Sequence, residues 1–271
     1  MGFTMRFRGI RWVGLALGLL LFWAAGGFAA VSLDGFGESE IDLLKSTLKL
    51  LDPMIHERKL AGTAPLITFE ELYAPLEPKQ INFLEEIRRL DPAQLKGSSR
   101  KLPAPSPRDS FVRLESQMIF REGNSTPLDP QYLPRTVFEA YQRMMAAMEQ
   151  ELGKRLLVES GFRSPAYQLY LFLFYLPNHG YSIRETNRFV ALPGCSEHGS
   201  PQRQAIDFIT PAGINGEDRP EEFEELQEYG WLLARAHEFG FYLSYPRGGI
   251  SAYEPWHWHF EGHGSIEDSR K

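Results

Sequence analysis

Hydrophobic positions along this chain fall into three textures. From Trp12 to Val31 twenty residues run without a charge, WVGLALGLLLFWAAGGFAAV, and would be apolar on every face of a helix. From Ser39 onward the apolar residues recur at helical spacing instead. In SEIDLLKSTLKLLDP, Ile41, Leu44, Leu48 and Leu51 share a stripe, Ser39 is placed to cap the helix and Asp52-Pro53 to stop it. EPKQINFLEEIRRLDP repeats the pattern and closes on Asp91-Pro92. These residues, 32–100, read as an amphipathic helical arm. KGSSRKLPAPSPRDS, residues 96–110, carries prolines 103, 105 and 107 among serines and basic residues, so it reads as an extended linker and a domain boundary.

Beyond the linker, residues 111–271 mix the two periods, which predicts an α+β domain: a small antiparallel sheet with packed helices. RTVFEAYQRMMAAMEQEL, residues 135–152, predicts a helix, LLVES a short strand, and Pro165 opens a second helix apolar enough for deep burial. QAIDFIT is a strand candidate. Residues 220–239 predict one amphipathic helix with Phe223, Leu226, Gly230, Leu233 and His237 on its stripe. FYLSYP and PWHWHF close the chain as neighbouring antiparallel strands, joined through the turn at Gly248-Gly249.

Composition narrows what such a chain can do. Of 271 residues, 43% are hydrophobic and 24% charged, as in an ordinary globular protein, and the formal net charge of −6 disfavours a nucleic-acid partner. The single cysteine, Cys195, rules out an intrachain disulfide or a cysteine-built zinc module. Arg6, Arg8 and Arg11 precede the apolar run, with Gly27 and Ala29 suitably placed before a cleavage site. The first 31 residues therefore read as a signal peptide, or as an uncleaved anchor that spans the membrane through residues 12–31. Either way the remainder is exported, to the periplasm or the outer face of the cytoplasmic membrane. Without the three leader arginines its formal charge falls from −6 to −9.

Any metal site must then come from imidazoles and carboxylates. His198 and Asp207 lie in CSEHGSPQRQAIDF, and Glu254, His257 and His259 in EPWHWHF. Two histidines and one carboxylate suit a hydrolytic zinc site with an open fourth position, and a further Glu nearby suits a general base. Other candidates are blander. His237 reads as a core or helix-end residue, Cys195 as a packed residue, and EDRPEEFEELQE as a solvated helix face. No Gly-rich phosphate loop follows a strand.

Three blocks in order, SGFRSPAYQ at 160–168, SEHGSPQRQAIDF at 196–208 and EPWHWHF at 254–260, resemble the VanY-like zinc D-alanyl-D-alanine carboxypeptidases of the LAS metallopeptidase family. The resemblance covers about residues 111–262. It implies zinc held by His198, Asp207 and His257, Glu254 as general base, and Arg163 polarising the scissile carbonyl. It also implies substrate contacts at Gln168 and Ser196. In a strand His259 faces the same side as His257, which makes it a candidate to support the ligands, to contact substrate or to rival them as a ligand. The implied substrate is a peptidoglycan stem peptide. An endopeptidase or L,D-carboxypeptidase, and a non-catalytic wall-binding module, are the alternatives. Two departures stand out. The family spaces its His and Asp seven apart, whereas His198 and Asp207 are nine apart with Arg203 where the family has Gly, and His259 stands where family members often have Arg.

Overall fold

The computed structural model describes residues 31–95, 100–103, 105, 110–121, 123–249 and 252–262. The apolar run from Trp12 to Ala30, and with it the reading of a signal or anchor, lies outside the described residues. Among the described residues no helix is long and apolar enough to cross a membrane.

The first helix, α1 (Glu38–Leu60), starts two residues earlier than the Ser39 cap implied: the Gly37 N–H donates to Glu40 Oε2 at 2.8 Å. It also runs through Pro53, which was expected to end it. An interior proline costs a helix about 3 kcal/mol. Leu44, Thr47, Leu51 and Ile55, buried on both sides of Pro53, hold the helix against its neighbours regardless. After it come α2 (Phe69–Tyr73), entered through a reciprocal cap between Thr68 and Glu71, and α3 (Pro78–Arg88) with proline in its first turn.

Residues 111–134 form two antiparallel pairs that hydrophobic patterning did not predict. β1 (Phe111–Leu114) pairs with β4 (Gln131–Pro134), and β2 (Met118–Arg121) pairs with β3 (Asn124–Pro127). Next are α4 (Arg135–Leu152), stopped by Gly153 in the left-handed region, β5 (Leu157–Ser160), α5 (Pro165–Tyr175) capped by Ser164, and the single turn α6 (Ile183–Thr186). Then follow β6 (Ala205–Ile209), α7 (Pro220–Glu224), α8 (Gln227–Arg235), β7 (Phe241–Leu243) and β8 (His257–Phe260). The single helix expected over 220–239 is thus interrupted. Phe223, Tyr229, Trp231 and Leu232 are buried, while Leu233 and His237 are exposed, so His237 is not a core residue.

The central sheet is antiparallel in the order β5-β6-β8-β7. Alternation along its strands sorts side chains by face. Ile206, Phe208 and Trp258 join Val137, Tyr141 and Met144 of α4 in one core. Asp207 and His257, opposite one another in the register, fall on the other face.

A second core unites residues 31–95 with α5 and the segment to Cys195: Leu44, Leu51, Leu72, Leu84 and Ile87 pack with Leu169, Phe172 and Leu173. The helical segment is therefore not an arm apart from the domain, and residues 31–271 make one compact unit. The physical reason is α5 itself, whose apolar side chains on several faces need a partner that the sheet alone does not supply. Hydrogen bonds stitch the seam, from Ser164 N to Pro65 O at 2.8 Å, Ser164 Oγ to Ile67 O at 2.6 Å and Tyr132 OH to Gly62 O at 2.9 Å.

Candidate active site

Local backbone puts each reactive group at one cleft. Ser196 Oγ accepts from His198 N at 3.3 Å and starts a short 3-10 turn, Glu197–Gly199, that carries His198. The imidazole of His198 is buried, and its Nδ1–H donates to the carbonyl of Gly161 at 2.7 Å. That fixes the tautomer and leaves Nε2 as the free donor atom. Gly161 must be glycine, because a Cβ there would sit 2.4 Å from the Tyr132 carbonyl oxygen.

A register irregularity between Val158 and Ser160 precedes the pairing of Ser160 with Asp207. On the other side of β6, His257 Nδ1 lies 2.8 Å from Asp207 Oδ1. His198 Nε2 is 3.1 Å from Asp207 Oδ2, close in distance but out of line for a hydrogen bond, so this buried nitrogen has no hydrogen-bond partner. One ligand atom from each of His198, Asp207 and His257 falls within 4.8 Å of the others. The two nine-apart residues therefore still converge despite the longer loop, which absorbs its extra length in a second 3-10 turn, Pro201–Arg203. Two imidazoles, one carboxylate and an orphaned inward-facing nitrogen fit a zinc ion.

Electrostatics agree with that chemistry. Burial and the nearby Arg163 charge push His198 down to about 4, so it is neutral as a ligand must be. Burial opposes ionisation of Asp207, but His198 and His257 outweigh it and hold the carboxyl well below the usual range. Burial would also lower His257, yet Asp207 and Glu197 lift it to about 10. Metal binding to His257 would accordingly release a proton.

Glu254 Oε2 is 3.7 Å from His257 Nδ1, and burial, aided by the Asp207 charge, raises its carboxyl to about 7. That suits a group that takes and returns a proton near neutrality. The cleft is a cavity of about 630 Å³, also lined by Arg163, Gln168, Ser196 and Tyr245. Arg163 Nε and Gln168 Oε1 are buried without partners, although Gln168 Nε2 donates to Ala191 O at 2.8 Å.

His259 is different. It does not line this cavity. Its Nδ1 meets Ser244 Oγ at 2.7 Å and its Nε2 meets Glu261 at 3.0 Å, so the substrate contact expected of it is not where the structure puts it. Conversely, sequence reasoning passed over Glu197, whose Oε2 lies 3.0 Å from His257 Nε2. Its position between Ser196 and His198 was the available signal. It also passed over Lys59, Gly62 and Pro65, which bring the helical segment to the cavity wall.

A family model described as VanY, D-alanyl-D-alanine carboxypeptidase, matches residues 130–263. The bifunctional D-Ala-D-Ala dipeptidase and D-Ala-D-Ala carboxypeptidase VanXYC of Enterococcus gallinarum is 31% identical over 144 residues, 48% of this chain and 68% of its own length. The chain belongs to the VanY family. Putative carboxypeptidase YodJ of Bacillus subtilis (strain 168) is 25% identical over 263 residues, covering 93% of this chain and 89% of that protein. Among solved structures, the LdcB LD-carboxypeptidase superposes with a TM-score of 0.48 at 24% identity, covering 69% of this chain and 82% of that one. The VanY match contains Arg163, His198, Asp207, Glu254 and His257, whereas the cavity-lining residues of the helical segment lie before it.

Proposed function

We propose that this VanY-family protein is a zinc-dependent carboxypeptidase that removes the terminal D-alanine from peptidoglycan stem peptides ending in D-Ala-D-Ala, acting outside the cytoplasm. The observation that carries the reading is the convergence of His198, Asp207 and His257 on one point, with Glu254 beside it. His198 Nε2, a carboxylate oxygen of Asp207 and His257 Nδ1 would hold the ion. When bound, zinc supplies Lewis acidity toward the scissile carbonyl and makes water a better nucleophile near pH 7.

The protein's own groups do the remainder. Glu254 accepts the proton of the attacking water and delivers it to the departing amine. The Arg163 guanidinium, with a buried nitrogen unpaired, faces the negative charge that grows on the carbonyl oxygen. Gln168 Oε1 offers an acceptor to a substrate N–H. The cleft volume of about 630 Å³ is of the size that encloses a short peptide end.

The test is metal analysis together with mass spectrometry of a pentapeptide muropeptide. About one zinc per chain and loss of a single alanine are expected, abolished by a chelator and restored by zinc. Loss of a different residue, or cleavage of cross-links, would change the bond assigned. A metal-free, inactive protein that still binds sacculi would overturn the enzyme reading.

A further inference from the structure

Beside the cleft, which Glu197 helps to line, five side chains from three separate parts of the chain close into one polar ring. Glu197 Oε1 accepts from Arg203 Nε at 2.6 Å, and Arg203 also pairs with Glu261. Glu261 meets His259 Nε2 at 3.0 Å, His259 Nδ1 meets Ser244 Oγ at 2.7 Å, and Ser244 Oγ donates to Glu197 Oε2 at 2.6 Å. The same Glu197 Oε2 faces His257 Nε2 at 3.0 Å. His257 and Glu197 are both buried.

We propose that Arg203 and Glu197 are positioning residues for the metal-binding histidine. The ring holds the Glu197 carboxylate against His257 Nε2, so that this nitrogen keeps its hydrogen and Nδ1 is the one left to face the point shared with Asp207 and His198. This rests on the zinc site described above. A carboxylate on the far nitrogen of a metal-binding histidine orients the ring and raises its basicity.

The ring also gives both departures from the family pattern a single cause. Arg203 comes from the lengthened loop between His198 and Asp207, and position 259 lacks the arginine often found there. His259 Nδ1 is 4.0 Å from Glu197 Oε2, within the reach of a longer guanidinium at that position. The loop arginine therefore supplies to Glu197 the cation that position 259 does not.

The experiment measures zinc dissociation by chelator competition, the absorption spectrum of the cobalt(II)-substituted protein, and kcat and KM, all on the full chain. The variants are Arg203→Ala, the milder Arg203→Gln, Glu197→Leu, and the double Arg203→Ala with His259→Arg. Both Arg203 single variants and Glu197→Leu are expected to bind zinc about 10- to 100-fold more weakly, with an altered cobalt spectrum and kcat falling more than KM changes. The double variant is expected to regain most of the affinity and the wild-type spectrum. Unchanged zinc affinity and spectrum in the Arg203 variants, or a double variant no better than Arg203→Ala, overturns the inference. Wild-type protein that holds no zinc overturns the site reading itself.

Discussion

The two cores of this molecule divide the labour. The sheet half, with Ile206, Phe208 and Trp258 packed on α4, carries every group proposed to touch the metal, together with Glu254. The helical half, with Leu44, Leu51, Leu84 and Ile87 packed on α5, contributes no metal-binding candidate, yet brings Lys59, Gly62 and Pro65 to the cleft. Strand alternation explains the difference. On β6 and β8 the pleat sends alternate side chains to opposite faces, so Asp207 and His257 are placed by the same pleat that builds the core, while His198 comes from the turn before β6. A helix stripe, by contrast, has to choose between packing and reaching. The helical half packs, and reaches the cleft with residues at and just after the end of α1 and with Gln168 of α5.

Substitutions in the two halves should separate accordingly. The largest effect is expected from Glu254→Gln in the sheet half. It should lower kcat by about 10²- to 10⁴-fold while zinc content and thermal midpoint stay near wild type, as read by metal analysis and calorimetry. Loss of zinc in this variant would mean that Glu254 is a ligand instead of a base.

In the helical half, Leu84→Ala should cost about 2–5 kcal/mol of unfolding free energy through the cavity it leaves, because Leu84 is fully buried. Denaturant unfolding checks this, and zinc affinity at 25 °C should be unaffected. A parallel loss of zinc would show that the halves are not separable.

Next is a dependence on pH at Glu159, a cleft-lining carboxyl of β5 raised to about 7 by burial, although the Asn215 side chain donates to it at 2.8 Å. The folded state holds this proton more tightly than the unfolded chain, whose ordinary value is 4.5. Its ionisation thus lowers stability as pH rises from about 4.5 to 7. In metal-free protein, Glu159→Gln should gain thermal midpoint over wild type across that window, with the gap level above it and vanishing below. A constant gap at all pH values would refute the assignment.

The smallest effect is expected from Lys59→Glu on the helical wall, an exposed side chain. A KM change of about fivefold, equivalent to about 1 kcal/mol, with kcat unchanged, would confirm that this half only contacts substrate.

How far the sequence could be read follows the same division. α4, β5, α5 and β6 were legible because each carries a complete local signal: a 3.6-residue stripe, a short apolar run, or a proline after a capping serine. Pro53 misled because its cost is local while the burial that outweighs it, at Leu51 and Ile55, is tertiary. The pair β2–β3 was missed because Asn124–Pro127 is exposed throughout and has no alternation to read. Of the site, His198, Asp207, Glu254 and His257 were found through the three blocks. His259 was assigned to the cleft because strand parity puts it on the face of His257. Parity fixes a face, not what occupies it, and Ser244 and Glu261 take both of its nitrogens. Glu197 and Arg203 pair six residues apart, but the groups they hold, Ser244, His257 and Glu261, lie 47 or more positions further along, so the place of Glu197 between Ser196 and His198 hinted at the site and not at the ring.

The shared core around α5 also makes the chain a natural pair of complementing fragments. Cut within residues 96–109, the C-terminal piece would keep every proposed ligand but bare Leu169, Phe172 and Leu173, while the N-terminal piece would bare Leu44 and Leu84. Each piece has half of an apolar seam and half of a set of matching hydrogen bonds at Pro65, Ile67 and Gly62. Mixing the two should reconstitute a working cleft, a split enzyme whose signal reports that its halves have met.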